Sequence, residues 1–136
     1  MMQRFVCVLA FIALAVSGCQ QSDTVLVTGT VTMKGQPIDK AEVIFNPKQG
    51  RFASGVTDAQ GRFSLSTAKP GDGAAPGEYL VTLGEFYPPD APPKPPPGGG
   101  FLPSRFPRKY ADPGTSPLSA KVERGAKNDF TFEVAN

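Results

Sequence analysis

The chain has 136 residues, 40% hydrophobic and 19% charged, with fifteen glycines and fifteen prolines. That composition suits one globular domain of short strands and turns and argues against long helices. A formal charge of +2 is too mild for a nucleic-acid partner, which needs clustered Lys and Arg, and the absence of His removes the usual general base and the commonest neutral metal ligand.

The first 18 residues form a targeting segment. Arg4 places a positive charge near the start, and Phe5 to Val16 is an uncharged apolar run. A helix of about 12 residues spans about 18 Å, short of the roughly 30 Å hydrocarbon layer, so the pattern fits a secretory signal peptide rather than a membrane span. Val16-Ser17-Gly18-Cys19 then resembles the lipobox of bacterial lipoproteins, with small residues where the signal peptidase admits the chain. The resemblance implies a product that begins at Cys19, carrying a diacylglyceryl thioether and an acylated amine. Two or more acyl chains anchor a protein stably to a bilayer, so membrane lipid would be held through the acylated Cys19 without a transmembrane helix. Cys7 falls in the removed segment, which leaves no pair for an internal disulfide. Gln20 follows the cysteine where aspartate favours inner-membrane retention in well-studied lipoproteins, so the expected address is the cell envelope, the outer membrane ahead of the inner, with the domain periplasmic or surface-facing.

Residues 19–24 read as a polar tether, and 25–136 as the folded domain. Val25 to Met33 sets Val25, Val27, Val31 and Met33 on one face and Thr28, Thr30 and Thr32 on the other, a strand by period and β-branching. Lys34-Gly35-Gln36-Pro37 supplies a turn. Ala41 to Pro47 is the next strand, with Ala41, Val43 and Phe45 on one side; Pro47 cannot donate to a ladder, so the strand ends there or lies on an edge. Phe52 to Asp58 and Arg62 to Thr67 read as a hairpin on which the domain is centred. Pairing Thr57 with Arg62 puts Val56 opposite Phe63 and Ser54 opposite Leu65. Asp58 can accept a backbone hydrogen bond within the turn, and Gly61 can take the positive φ it needs.

Ala68 to Gly77 is an irregular loop. Glu78 to Glu85 resumes strand character with Tyr79, Val81 and Leu83 on one face. Later, Leu118, Ala120 and Val122 alternate with polar residues, and Phe130, Phe132 and Val134 face inward on a last strand. About seven strands and no helical period predict an all-β, antiparallel or mixed two-sheet sandwich. The chain from Cys19 onward is long enough to bury roughly two thirds of its unfolded surface, so neither a disulfide nor a metal is required.

Residues 86–117 break the rhythm and hold most of the prolines. Such a long loop is unusual inside a compact domain. Pro92-Pro93-Lys94-Pro95-Pro96-Pro97 favours an extended polyproline rod and Gly98-Gly99-Gly100 a joint. Beyond it, Phe101, Phe106 and Tyr110 interleave with Arg105, Arg108 and Lys109. These six form a candidate partner-binding loop; the alternative, favoured here, is that its apolar residues pack back over the sandwich.

Val27-Thr28-Gly29-Thr30-Val31, Gly35-Gln36-Pro37-Ile38, Ala41 to Pro47, Gly55 to Phe63 and Pro76-Gly77-Glu78-Tyr79 together resemble carboxypeptidase regulatory-like domains. The resemblance covers Val25 to about Glu85, and Pro107 to Pro113 with the closing strands is similar to the C-terminal half of small bacterial lipoproteins built on this domain. It implies a transthyretin-like (prealbumin-like) β-sandwich and a non-catalytic accessory module, and it names no ligand. It further implies that Tyr79, beside Gly77, turns its hydroxyl to a backbone group at a sandwich corner; an ordinary core tyrosine is the other reading.

No residue set for catalysis emerges, and no cofactor or metal is expected. Asp58, Asp72 and Glu78 stand near glycines but lack the dense acidic spacing of a calcium loop. The leading reading is an envelope-anchored module with a structural or protein-interaction role. The alternative is carbohydrate or small-ligand binding, with Tyr87, Tyr110 and loop phenylalanines as platforms in a chain without Trp. A hydrolase ranks third.

Overall fold

The computed structural model describes residues 23–91 and 104–135. Val16, Ser17, Gly18, Cys19 and Phe101 therefore lie outside the described residues. Eight strands occur among those described: β1 Thr28–Met33, β2 Gln36–Pro37, β3 Ala41–Pro47, β4 Ala53–Val56, β5 Arg62–Ser64, β6 Gly77–Glu85, β7 Leu118–Val122 and β8 Asp129–Val134. They form two four-stranded sheets. In one, β4, β3, β6 and β7 lie side by side and antiparallel. In the other, β1 is central: β5 pairs with its first half, β2 with its last two residues, and β8 runs parallel to it from Thr28↔Asp129 to Met33↔Val134.

The period-two pattern explains which side chains meet. Val27, Val31, Phe63, Leu65, Phe132 and Val134 turn inward from the first sheet, and Ala41, Val43, Phe45, Tyr79, Val81, Leu83, Ala120 and Val122 from the second. Strand side chains alternate faces, so these rows interdigitate and their polar neighbours reach solvent. Phe45, fully buried, is where the sheets lock. Its ring lies 6.3 Å from Phe63, 5.8 Å from Phe130, 6.0 Å from Phe132 and 5.6 Å from Tyr79, at tilted or edge-on angles. Gly29 makes room for this cluster, since a Cβ there would stand 2.4 Å from both the Phe63 ring and the Phe130 carbonyl.

Two expectations need correction. The segment Lys34–Pro37 is turn only at Lys34 and Gly35, with φ of 52° and 76°; Gln36 and Pro37 already pair with β1. More consequentially, Phe52–Asp58 and Arg62–Thr67 are not a hairpin within one sheet. β4 pairs with β3, whereas β5 pairs with β1, so the turn between them is an arch that joins the sheets. The crossing is also shifted by one residue from the expected register. Ser54 exchanges hydrogen bonds with Ser66 at 3.0 and 2.8 Å rather than facing Leu65, and the Asp58 N–H donates to the Arg62 carbonyl at 2.9 Å. A one-residue slip reverses every face, and Val56 accordingly points to solvent, 38% exposed, while Phe63 is buried.

The arch chemistry explains the slip. The Asp58 carboxylate accepts from the Gln60 and Arg62 amides at 2.9 and 3.0 Å, which widens the turn. Gly61, at φ 73°, presses its carbonyl onto the Val31 amide at 2.8 Å, and a Cβ there would meet the Val31 oxygen at 2.6 Å. Buried Thr57 completes the corner by accepting from the Ala41 amide at 2.8 Å. Splitting the two strands lets Ala53 and Phe63 both reach the core from opposite layers.

Replacing Phe45 by Ala removes the ring common to both sheets and leaves a cavity. It should cost about 3–5 kcal/mol, read as a fall in the denaturant midpoint with an unchanged slope.

Candidate functional site

Segment 104–116 lies back on the sandwich beside the end of β6. A short 3-10 turn, η1 at Arg108–Tyr110, seats Tyr110 in the core, and Phe106 joins the same cluster. The Tyr110 hydroxyl accepts from the Ala135 amide at 2.9 Å and donates to the Ala135 carbonyl at 3.3 Å, fixing the chain just past β8. Asp112 organises the following turn through the Gly114 amide, 2.7 Å from its carboxylate, and Ser116 donates its hydroxyl to the Val81 carbonyl.

Of the two readings of this segment, the favoured one, in which its apolar residues pack back over the sandwich, describes Phe106 and Tyr110, which are 6% and 2% exposed. Both rings are covered by the sandwich, because burying a large aromatic is worth more than displaying it. Tyr110 thus presents no exposed face on which a sugar could stack. Tyr87 stays 44% exposed. Arg108 and Lys109 remain exposed beside the segment, with the Lys109 ammonium 5.1 Å from the Tyr110 ring centroid.

Arg105 is the hinge of the arrangement. Its Nη2 lies 2.7 Å from Glu85 Oε2, its Nε 3.1 and 3.2 Å from the two carboxylate oxygens, and its own backbone amide 2.7 Å from Oε1. Nη2 also donates to the Asp39 carbonyl at 2.8 Å. This fork ties the start of the returning segment to the last residue of β6 and to the β2–β3 connection. Burial alone would raise the Glu85 pKa, but hydrogen bonding and charge from Arg105 outweigh it and hold the carboxyl below its ordinary value. Arg105 is correspondingly pushed up, first by that carboxylate. The guanidinium carbon also sits 5.7 Å over the Phe106 ring.

Between η1 and the end of the β3–β6 sheet lies an open groove of about 1260 Å³ with Glu42, Leu83, Tyr87, Arg108, Lys109 and Asp112 in its walls. Its hydroxyls serve turns: Ser104 Oγ accepts from the Phe106 amide at 3.1 Å, and Thr115 Oγ1 donates to the Lys109 carbonyl at 2.9 Å. Among the described residues no three His, Cys, Asp or Glu side chains come close enough to hold a metal. Asp72 spends its carboxylate on the amides of Thr67, Ala68 and Lys69 at 2.6, 3.0 and 3.0 Å, and these lower its pKa.

The remaining corner residues sit at the other end. Gly77 opens β6 at φ 152°, and two residues on the buried Tyr79 donates its hydroxyl to the Ala75 carbonyl at 2.6 Å. Burial raises the Tyr79 pKa. Sequence reasoning missed the Arg105–Glu85 fork because its partners are 20 residues apart across the proline-rich stretch, and no local spacing rule links them. The only signal was that each stands at one margin of that stretch.

Glu85→Gln should cost about 1 kcal/mol, as expected for a partly exposed bidentate pair. In the wild type the fork contributes fully above the ordinary carboxyl value of 4.5. That contribution is lost as pH falls through the lower folded value. Denaturation midpoints measured from neutral to acidic pH should therefore converge for wild type and Glu85→Gln at the acid end.

Comparison with known proteins gave no match to a family model, a curated protein or a solved structure.

Proposed function

We propose that this chain is a small envelope lipoprotein whose β-sandwich is a non-catalytic module of the carboxypeptidase regulatory-like, transthyretin-like kind, serving a structural or protein-interaction role. The observation that carries the reading is the placement of Val16-Ser17-Gly18-Cys19 directly after the apolar run and six residues before Val25. Removal of the leader with Cys7 leaves Cys19, of the two cysteines, as the only one in the mature chain and as the attachment point for lipid. The all-β, two-sheet architecture supports the module half of the reading. Among the described residues no helix is long and apolar enough to cross a membrane.

The groove beside η1 is a surface of this module suited to a protein partner, since half-exposed Tyr87 stands there among charges of both signs, Glu42, Arg108, Lys109 and Asp112. With Tyr110 in the core, no specific observation favours a sugar-binding reading over this one.

Cells fed a labelled fatty acid should transfer label to the wild-type chain and none to Cys19→Ser, which should also retain its leader and migrate more slowly. Equal labelling of the two, or no label on the wild type, overturns the reading.

A further inference from the structure

We propose that the end of the sandwich where the chain enters is a membrane-contact face, in which Leu26 and Phe52 seat in the interface of an anionic bilayer while surrounding cations meet its headgroups. The inference rests on the lipid-anchor reading and adds an orientation to it. The domain stands end-on, with the groove beside η1 held away from the lipid.

Strand registers put three loops at this end. β3 finishes at Pro47, opposite Tyr79 near the start of β6, and the chain returns at Ala53, so 48–52 caps the sandwich there. Gly77, the first residue of β6, is opposite Val122, the last of β7, so 123–128 lies beside it. Asn128, which closes that loop, accepts from the amide of Thr28, the first residue of β1, at 2.9 Å. The third loop, 66–76, is bridged at Ser66 to Ser54 and at Ala74 to Val25. The entry residue Val25 is therefore grouped with all three.

Charge and exposure then converge. The loops carry Lys48, Arg51, Lys69, Arg124 and Lys127, all exposed, against two carboxylates. Asp72 is turned inward onto its own loop amides, and Glu123 is ion-paired with Lys121 at 3.3 Å. The entry segment and flanking strand ends add the carboxylates of Asp23, Glu78 and Asp129, the last 3.2 Å from the Thr28 hydroxyl that donates to it, and the ammonium of Lys121. Leu26 and Phe52, at 71% and 60% exposure, are the two most exposed large apolar residues among those described, and both belong to this end. An isolated exposed apolar residue needs no explanation, but two at one pole, beside loops whose exposed Lys and Arg outnumber their uncommitted carboxylates, fit an interfacial surface.

The tether is short enough to allow the contact. At roughly 3.5 Å per residue the chain from Cys19 to Val25 spans at most about 21 Å, and surface attraction to anionic lipid acts within about a Debye length, 8–10 Å. An acylated Cys19 would tether this pole first, so that it is the part of the domain that small excursions bring within that reach.

The chain lacks Trp, so single reporters are clean. Full-length lipidated protein carrying Phe52→Trp, Leu26→Trp or Tyr87→Trp is reconstituted with vesicles of phosphatidylethanolamine and phosphatidylglycerol, floated on a density gradient, then read for emission and for quenching by brominated acyl chains. The reporters at 52 and 26 should shift to the blue and be quenched, and the reporter at 87 should do neither. Adding Lys48→Glu and Arg51→Glu should weaken quenching at 26, on the order of fivefold in the contact equilibrium for each charge removed. Protein that floats with both reporters unquenched, or with 87 quenched as strongly, overturns the inference alone. Wild-type protein that does not float overturns the anchor reading and the inference with it.

Discussion

The contact of Phe45 with aromatic rings of the opposite layer is the constraint on which the sandwich depends. One residue on the middle of β3 touches Phe63, Phe130 and Phe132, drawn from two different strands of the facing sheet, as well as Tyr79 on its own neighbour. Interiors are packed at crystal-like density, so a ring in that position sets the spacing and offset of both layers together. Gly29 has no alternative in such a place, because its missing side chain is the space Phe63 occupies. The alternation of the other strands then follows, each presenting its apolar row to a gap whose width is already fixed.

Much of this was legible in the residues themselves. Ala41 to Pro47 and Glu78 to Glu85 show unbroken alternation, and they became the two central strands of one sheet within a residue of the expected bounds. The arch at Asp58–Arg62 was legible as a turn and misread as a hairpin. Local chemistry is the same in both cases: an acidic side chain collects nearby amides and a glycine takes positive φ. What decides between them is where each flanking strand finds its partner, and the partners of β4 and β5 are β3 and β1, remote in sequence. The single-residue slip was equally invisible, since it depends on how many amides the Asp58 carboxylate gathers.

The returning segment illustrates the opposite balance. Its aromatic and basic residues alternate, a pattern that by composition alone fits a display surface as well as a covering flap. The fold divides them: Phe106 and Tyr110 enter the core, Arg105 closes onto Glu85, and Arg108 and Lys109 remain outside. The two sides of the fork stand at either margin of 86–104, so the proline- and glycine-rich stretch leaves and rejoins the sandwich at nearly one point. Changes of length in that stretch would therefore leave the base undisturbed, as expected for a loop whose closure entropy grows slowly with size.

The parallel pairing of β1 with β8 gives the domain a mechanical character. The first strand and the last are matched over six residues and point the same way, so tension between the entry point and the C-terminal end pulls them in opposite directions along their length. The ladder is then loaded in shear, with its hydrogen bonds sharing the force, instead of being peeled open one rung at a time. A domain pulled between those two ends would yield late and all at once.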